Sequence, residues 1–191
     1  KALALFRDHK AWYLAHDVRG VYPLDGKTRE WSVLLWASTL GNFKLVAVLV
    51  AEAGDAGSAM FNRPDAIGLT PLLAAAARGD TAMATALLGA GATESLTHQT
   101  KGGYTPVHSA LVNEKDAMVE LFVAKGGVEL LDPVLHPGGE WTVELEFLIA
   151  ESRDLDTPAK KARMTALVAR LHKEYAPASD DEQQALVDAF S

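Results

Sequence analysis

The chain contains no cysteine, which excludes disulfide bridges and thiolate metal sites and leaves the compartment open. It also has no apolar run near the roughly 18 residues needed to cross a membrane. Positive charge is scarce. Eighteen Lys and Arg stand against 25 Asp and Glu, a net charge of −7, which argues against a nucleic-acid footprint. The six histidines, His9, His16, His98, His108, His136 and His172, form no H-x-x-x-H or H-E-x-x-H pair, so the usual helical zinc site is missing. Gly102-Gly103 and Gly126-Gly127 lack the Gly-x-x-x-x-Gly-Lys pattern of a phosphate cradle. No Gly-x-Ser-x-Gly nucleophile motif is present either. No signal peptide is visible, and the chain opens at Lys1 rather than Met, as a fragment of a longer protein or a processed form would.

What the chain does have is a repeat. Gly68-Leu69-Thr70-Pro71-Leu72-Leu73-Ala74-Ala75-Ala76-Ala77-Arg78-Gly79-Asp80 returns thirty-five residues later as Gly103-Tyr104-Thr105-Pro106-Val107-His108-Ser109-Ala110-Leu111. Met83, Leu87, Leu88 and Gly91 fall on Met118, Phe122, Val123 and Gly126 at the same offset. The glycines suit a turn that needs positive φ. Thr70 and Thr105 are placed to N-cap a helix whose first turn holds Pro71 or Pro106, where a missing N–H is harmless. Gly79 ends that helix, and Met83, Leu87 and Leu88 give the next helix an apolar stripe. A unit of this size cannot bury its apolar face alone, so units stack.

A period in the low thirties with a Thr-Pro-Leu-His-type opening resembles the ankyrin repeat. The resemblance implies an all-α solenoid of about four helix-turn-helix repeats with short hairpin loops, and extra helices are expected to cap both ends. Two further copies are weaker. The first sets Ser32 at the Thr position, in Trp31-Ser32-Val33-Leu34-Leu35-Trp36, with Gly41 in register and Leu45, Val48, Leu49 and Val50 following. An enlarged loop is expected from Ala53 to Arg63. The last copy begins near Gly139-Glu140-Trp141-Thr142, where Glu144 falls on a core position. Ala2 to Val18 reads as an amphipathic helix offering Leu3, Phe6, Trp12 and Leu14. Asp156-Thr157-Pro158 starts a helix carrying Ala162, Leu167, Val168 and Leu171, and Ser179 with Glu182 opens a short last one. The expected single domain thus divides into a cap helix at 1–26, repeats at 27–64, 65–99 and 100–137, a divergent fourth repeat or cap at 138–175, and a helix at 176–191.

Catalysis is not expected. His108 fills the histidine position of the motif, where the side chain bonds to the threonine hydroxyl or a neighbouring loop backbone, so a structural role outweighs a catalytic one. His9 and His16, two turns apart beside Asp17, read as a solvated face rather than a metal site. The acidic set Glu140, Glu144, Glu146, Glu151, Asp154 and Asp156 is expected to pair with Lys160, Lys161, Arg163, Arg170 and Lys173 of the same cap. No cofactor is expected.

The resemblance places the residue before each capping Thr on the concave side, in a column that varies with the partner. Here it reads Trp31, Leu69, Tyr104 and Trp141. Aromatic anchors of this kind dominate protein interfaces. The inner-helix ends add Thr39 and Leu40, Ala77 and Arg78, then Val112 and Asn113, and the hairpin tips add Arg29, Ala66, Ile67 and Lys101. Scattered positive charge on an acidic chain suits an acidic or amphipathic segment of another protein. Glu120 is expected on the outer side of the stack, where its substitution should leave partner binding unchanged. The implied function is a monomeric, cytoplasmic protein-recognition module: an adaptor, an inhibitor or immunity-type protein, or the targeting domain of a larger protein. A periplasmic or secreted setting stays open beside the cytoplasmic one. One alternative is a methyl-lysine reader in which Trp31, Tyr104 and Trp141 form an aromatic cage. An enzyme with an unrecognised site near Glu144 is the other.

Overall fold

The structure is a computed structural model that describes residues 16–21, 26–53, 58–131 and 158–175. Each described repeat is built on the same joint. Ser32 Oγ accepts the N–H of Leu35 at 3.1 Å and starts helix α1, Val33–Thr39. Thr70 Oγ1 accepts the N–H of Leu73 at 3.2 Å and starts α4, Pro71–Arg78. Thr105 caps α6, Pro106–Val112, through the N–H of His108 at 3.3 Å, while His108 Nδ1 in turn receives the N–H of Thr105. That reciprocal capping box gives His108, 1% exposed, its structural role.

The outer helices follow as α2, Phe43–Ala53, α5, Thr81–Gly89, and α7, Asp116–Gly126. Asn42 and Asp80 cap the first two through the N–H groups of Leu45 and Met83. Inner helices pack in the order α1, α4, α6 and outer helices in the order α2, α5, α7. Leu34, Leu49, Leu72, Met83, Leu87, Val107, Met118 and Phe122 fill the space between the two rows. The run of small residues places Ala75 and Ala76 with no exposed surface, so α4 sits close to both neighbours.

Two elements depart from the sequence reading. Asp17–Val21 is a strand, β1, paired antiparallel with β2, Thr28–Ser32. The expected cap helix therefore does not run through Val18; its earlier residues lie outside the described ones. Tertiary contacts outweigh the helical period here. Val18 lies opposite Trp31, Trp36 Nε1–H donates to the Val18 carbonyl at 2.9 Å, and a Cβ at Gly20 would stand 2.9 Å from the Trp36 ring. The expected enlarged loop contains a short helix, α3, Ser58–Asn62. Phe61 is buried there, and Asn62 bonds to the Gly91 carbonyl and to Ser95, bolting this insertion to the end of the second repeat.

Helix α8, Pro158–Tyr175, begins at the expected proline and packs on α7. It buries Met164, Leu167, Val168 and Leu171, while Ala162 is exposed. Its cations are not confined to acidic residues of their own cap. Lys160 and Arg163 reach Glu114, Arg163 also reaches Asp116, and Arg170 reaches Glu120 and Glu174. Glu120 thus joins α7 to α8. Residues 140–156, the start of the fourth copy and the last helix at 176–191 lie outside the described residues. Exposed pairs screened by solvent contribute little, against about 1.5–3 kcal/mol for each buried Leu or Met. Apolar burial holds α8 in place.

Gly68 carries the tightest constraint in the stack. Its φ is +88°, and a Cβ would lie 2.7 Å from Thr100 Cα, backbone that has no room to retreat. Gly68→Ala is expected to lower stability by at least about 2 kcal/mol, since left-handed strain alone costs about 1–3 kcal/mol. A urea melt of the variant that matches wild type would contradict this.

The left-handed position closing the inner helix is Gly41 in the first repeat and Gly79 in the second, but Glu114 in the third, at φ +56°. Lys160 holds the Glu114 carboxyl below its usual range, chiefly through a direct hydrogen bond. This contribution is present above the ordinary glutamate pKa and fades as pH falls through the lowered one. Both Glu114→Gly and Glu114→Ala remove the pairing, but only Gly relieves the backbone. Glu114→Gly should therefore be the more stable of the two by about 1 kcal/mol. Equal denaturation midpoints would show that the left-handed residue is unstrained.

Candidate functional site

The hairpin tips are held by side chains acting on backbone. Asp65 Oδ1 accepts the N–H groups of Ile67 and Leu69 at 2.9 and 2.8 Å, and the Asp65 N–H donates to the Leu69 carbonyl. Thr100 does the same work in the next hairpin, taking the Tyr104 N–H on its hydroxyl at 3.1 Å. The two tips are joined where the Lys101 N–H donates to the Ile67 carbonyl at 2.9 Å. Ile67 is left 58% exposed, and Lys101 and Ala66 are exposed beside it.

The column before the caps is graded, not uniformly open. Trp31 is 4% exposed. Its Nε1–H donates to Asp65 Oδ2 at 2.8 Å, its ring lies 4.7 Å from that of Trp36, and Arg29 sits over it at 5.9 Å. With Leu35 and Ala74 it forms a small second core, against which Leu69 packs half-buried. Trp31 therefore supports the rim from below and offers little contact surface. Tyr104 is half-buried with its ring beside Gly102. Trp141 lies outside the described residues.

The ends of the inner helices form the second part of the face. Leu40 is 48% exposed at the end of α1. The guanidinium of Arg78 lies over Gly41 beside it and reaches the Thr39 carbonyl at 3.4 Å, a favourable place for a cation at a helix C-terminus. Among the described residues neither Arg78 nor Lys101 has a carboxylate partner, so both charges face outward uncancelled. Ala77 is half-buried, Val112 packs partly on the main core, and Asn113 is exposed with its amide on the Ser109 carbonyl. Leu40 and Arg78 are thus adjacent, as are Ile67 and Lys101, whereas Trp31 and Val112 belong mainly to the interior.

Sequence reasoning missed Asp65, Trp36 and the long first hairpin. The signal for the hairpin is Asp25-Gly26-Lys27 between two short runs, a turn pair that favours φ above zero; Gly26 has φ +67°. Phe43, 41% exposed at the start of α2, was also passed over. Among the described residues no cluster of three metal-ligating side chains occurs, and no helix is long and apolar enough to cross a membrane.

Stacked helix pairs joined by capped hairpins, with an exposed rim, define a helical repeat solenoid. The family model for ankyrin repeats, three copies, matches residues 34–132, and the chain belongs to the ankyrin-repeat family. Comparison with curated proteins finds no match. Repeats of this family generally serve as protein–protein interaction modules.

The burial of Trp31 makes it a stability residue. Trp31→Ala should cost about 3–5 kcal/mol, as large aromatic deletions in cores do. Ile67→Ala should stay within about 0.5 kcal/mol, as an exposed position does. Chemical denaturation of both variants checks the contrast, and a neutral Trp31→Ala would contradict it.

Proposed function

We propose that the protein is a non-catalytic recognition module that binds another protein along its hairpin tips and inner-helix ends. The observation that carries this is the pairing of exposed apolar and uncancelled cationic groups on one side: Leu40 with Arg78, and Ile67 with Lys101. Family membership supports protein binding as the general role. The positive groups stand on a chain of net charge −7, so an acidic or amphipathic partner segment fits this side better than the remaining surface. Tyr104, Leu69, Ala77 and Asn113 complete the face, with Tyr104 as its central aromatic. An adaptor, an inhibitor and a targeting domain would all use the surface in this way. The methyl-lysine cage gains no support, because the Trp31 ring is already engaged by Trp36 and Arg29.

Calorimetry with a purified partner tests the reading. Tyr104→Ala and Arg78→Glu should each weaken binding by about 1–2 kcal/mol, the latter mainly through slower association. Lys125→Ala, on the outer helix α7, should leave affinity unchanged. Wild-type affinity in both face variants, with binding lost on altering the terminal segments, would move the site off this face.

A further inference from the structure

Val33, Trp36, Ala37 and Leu40 share one side of α1, at the i, i+3, i+4, i+7 spacing of a helix face. With Ser32 and Thr70 at the same place in their repeats, Trp36 and Ala37 stand where α4 has Ala74 and Ala75. In α4 these residues are small, and Ala74 packs with Trp31 and Leu35 of the preceding repeat. Among the described residues no inner helix precedes α1, and β1 meets this face instead. It covers only part of it. The Trp36 ring is fixed against Val18 and Gly20, and beyond it a groove of about 300 Å³ stays open, walled by the exposed Leu40 and by Leu45 of α2.

Two features say what would enter it. The first is size. The volume lies at the low end of the roughly 300–1,000 Å³ of ligand sites, and a helix about 10 Å across does not fit. One bulky apolar side chain does. The second is the pair of donors beside it. The Arg78 guanidinium lies over Gly41, between the lining residues Leu40 and Asn42. It bonds only to the Thr39 carbonyl, and among the described residues no carboxylate meets it. The Asn42 carboxamide holds the Leu45 N–H on its oxygen and keeps its own N–H groups for another acceptor. The first turn of α2 carries no acidic side chain to compete. A carboxylate placed next to the apolar group therefore finds charge and hydrogen bonds together.

We propose that this groove seats one bulky apolar side chain of an acidic segment of the partner protein, with a neighbouring carboxylate on Arg78 and Asn42. The inference rests on the protein-recognition reading and gives it an anchor, since Leu40 belongs to both the groove and the proposed face. Residues 1–15 of this chain suit the site less well, because Lys1, Arg7 and Lys10 outnumber Asp8 there.

The test is an NMR titration of the intact protein with the peptide acetyl-Glu-Glu-Phe-Glu-Glu-amide, its Ala-for-Phe twin and its Lys-for-Glu twin. Shifts are expected in the amides of Val18, Gly20, Leu40 and Asn42 and in the Trp36 indole N–H. The Ala twin should bind at least about tenfold more weakly, having lost the buried ring. The Lys twin should be weaker by a similar factor through repulsion from Arg78, and Arg78→Glu should reverse the preference between the two charged peptides. An unchanged melting temperature would show that this variant remains folded. No shift in those signals at millimolar peptide, or equal binding by the Ala or the Lys twin, would overturn the proposal. Contacts from Leu3, Phe6 or Leu14 to the Trp36 indole in the free protein would give the groove to residues 1–15. Shifts of the same signals on diluting the protein alone would give it to a second copy, and either result would overturn the proposal. Shifts confined to Ile67, Lys101 and Tyr104 would also overturn it, yet leave the recognition reading standing.

Discussion

The hydroxyl at the foot of each inner helix is the joint on which the rest of the structure depends. At Ser32, Thr70 and Thr105 one side-chain oxygen accepts an N–H from the first helical turn. Such a cap contributes only about 1 kcal/mol. Its consequence is geometric: it fixes the angle at which an extended hairpin enters the helix. Because the angle repeats, the hairpins lie side by side and the inner helices pack in register. Residues just before and just after the joint then recur at fixed places, which is how local chemistry builds a rim of repeated positions. His108 strengthens the joint in the third repeat, where it returns a bond to the Thr105 N–H.

How much of this was legible follows from where each signal resides. The second and third repeats were legible because capping Thr and first-turn Pro recur in both, and each has a local physical cause. The first repeat was legible through Ser32 and Gly41, although its proline is missing. The β1–β2 hairpin was not, because its stability comes from residues far apart in sequence, with Trp36 seated against Gly20 and bonded to Val18. Nor was the insertion helix α3, whose anchor Asn62 acts on Gly91 and Ser95 of the following repeat.

The face was legible as a set of columns but not in its depth. A position before the cap recurs in each described repeat; whether its side chain is open depends on the neighbouring hairpin. Trp31 meets Leu69, Ala74 and Trp36 and is covered, while Tyr104 remains half-buried. Likewise Glu114 occupies a left-handed position that glycine holds elsewhere, and the ion pairs to Lys160 and Arg163 show where its side chain is used. No spacing rule reveals a partner on a helix more than forty residues away.

The central claim is that recognition occurs on the hairpin tips and inner-helix ends and not on the outer helices. Hydrogen exchange of the protein with and without a bound partner measures this most directly. The account predicts slowed exchange around Leu40, Ile67 to Leu69, Arg78, Lys101 to Tyr104 and Asn113, with α2, α5 and α7 unchanged. Protection confined to those outer helices, with the rim exchanging as in the free protein, would contradict it.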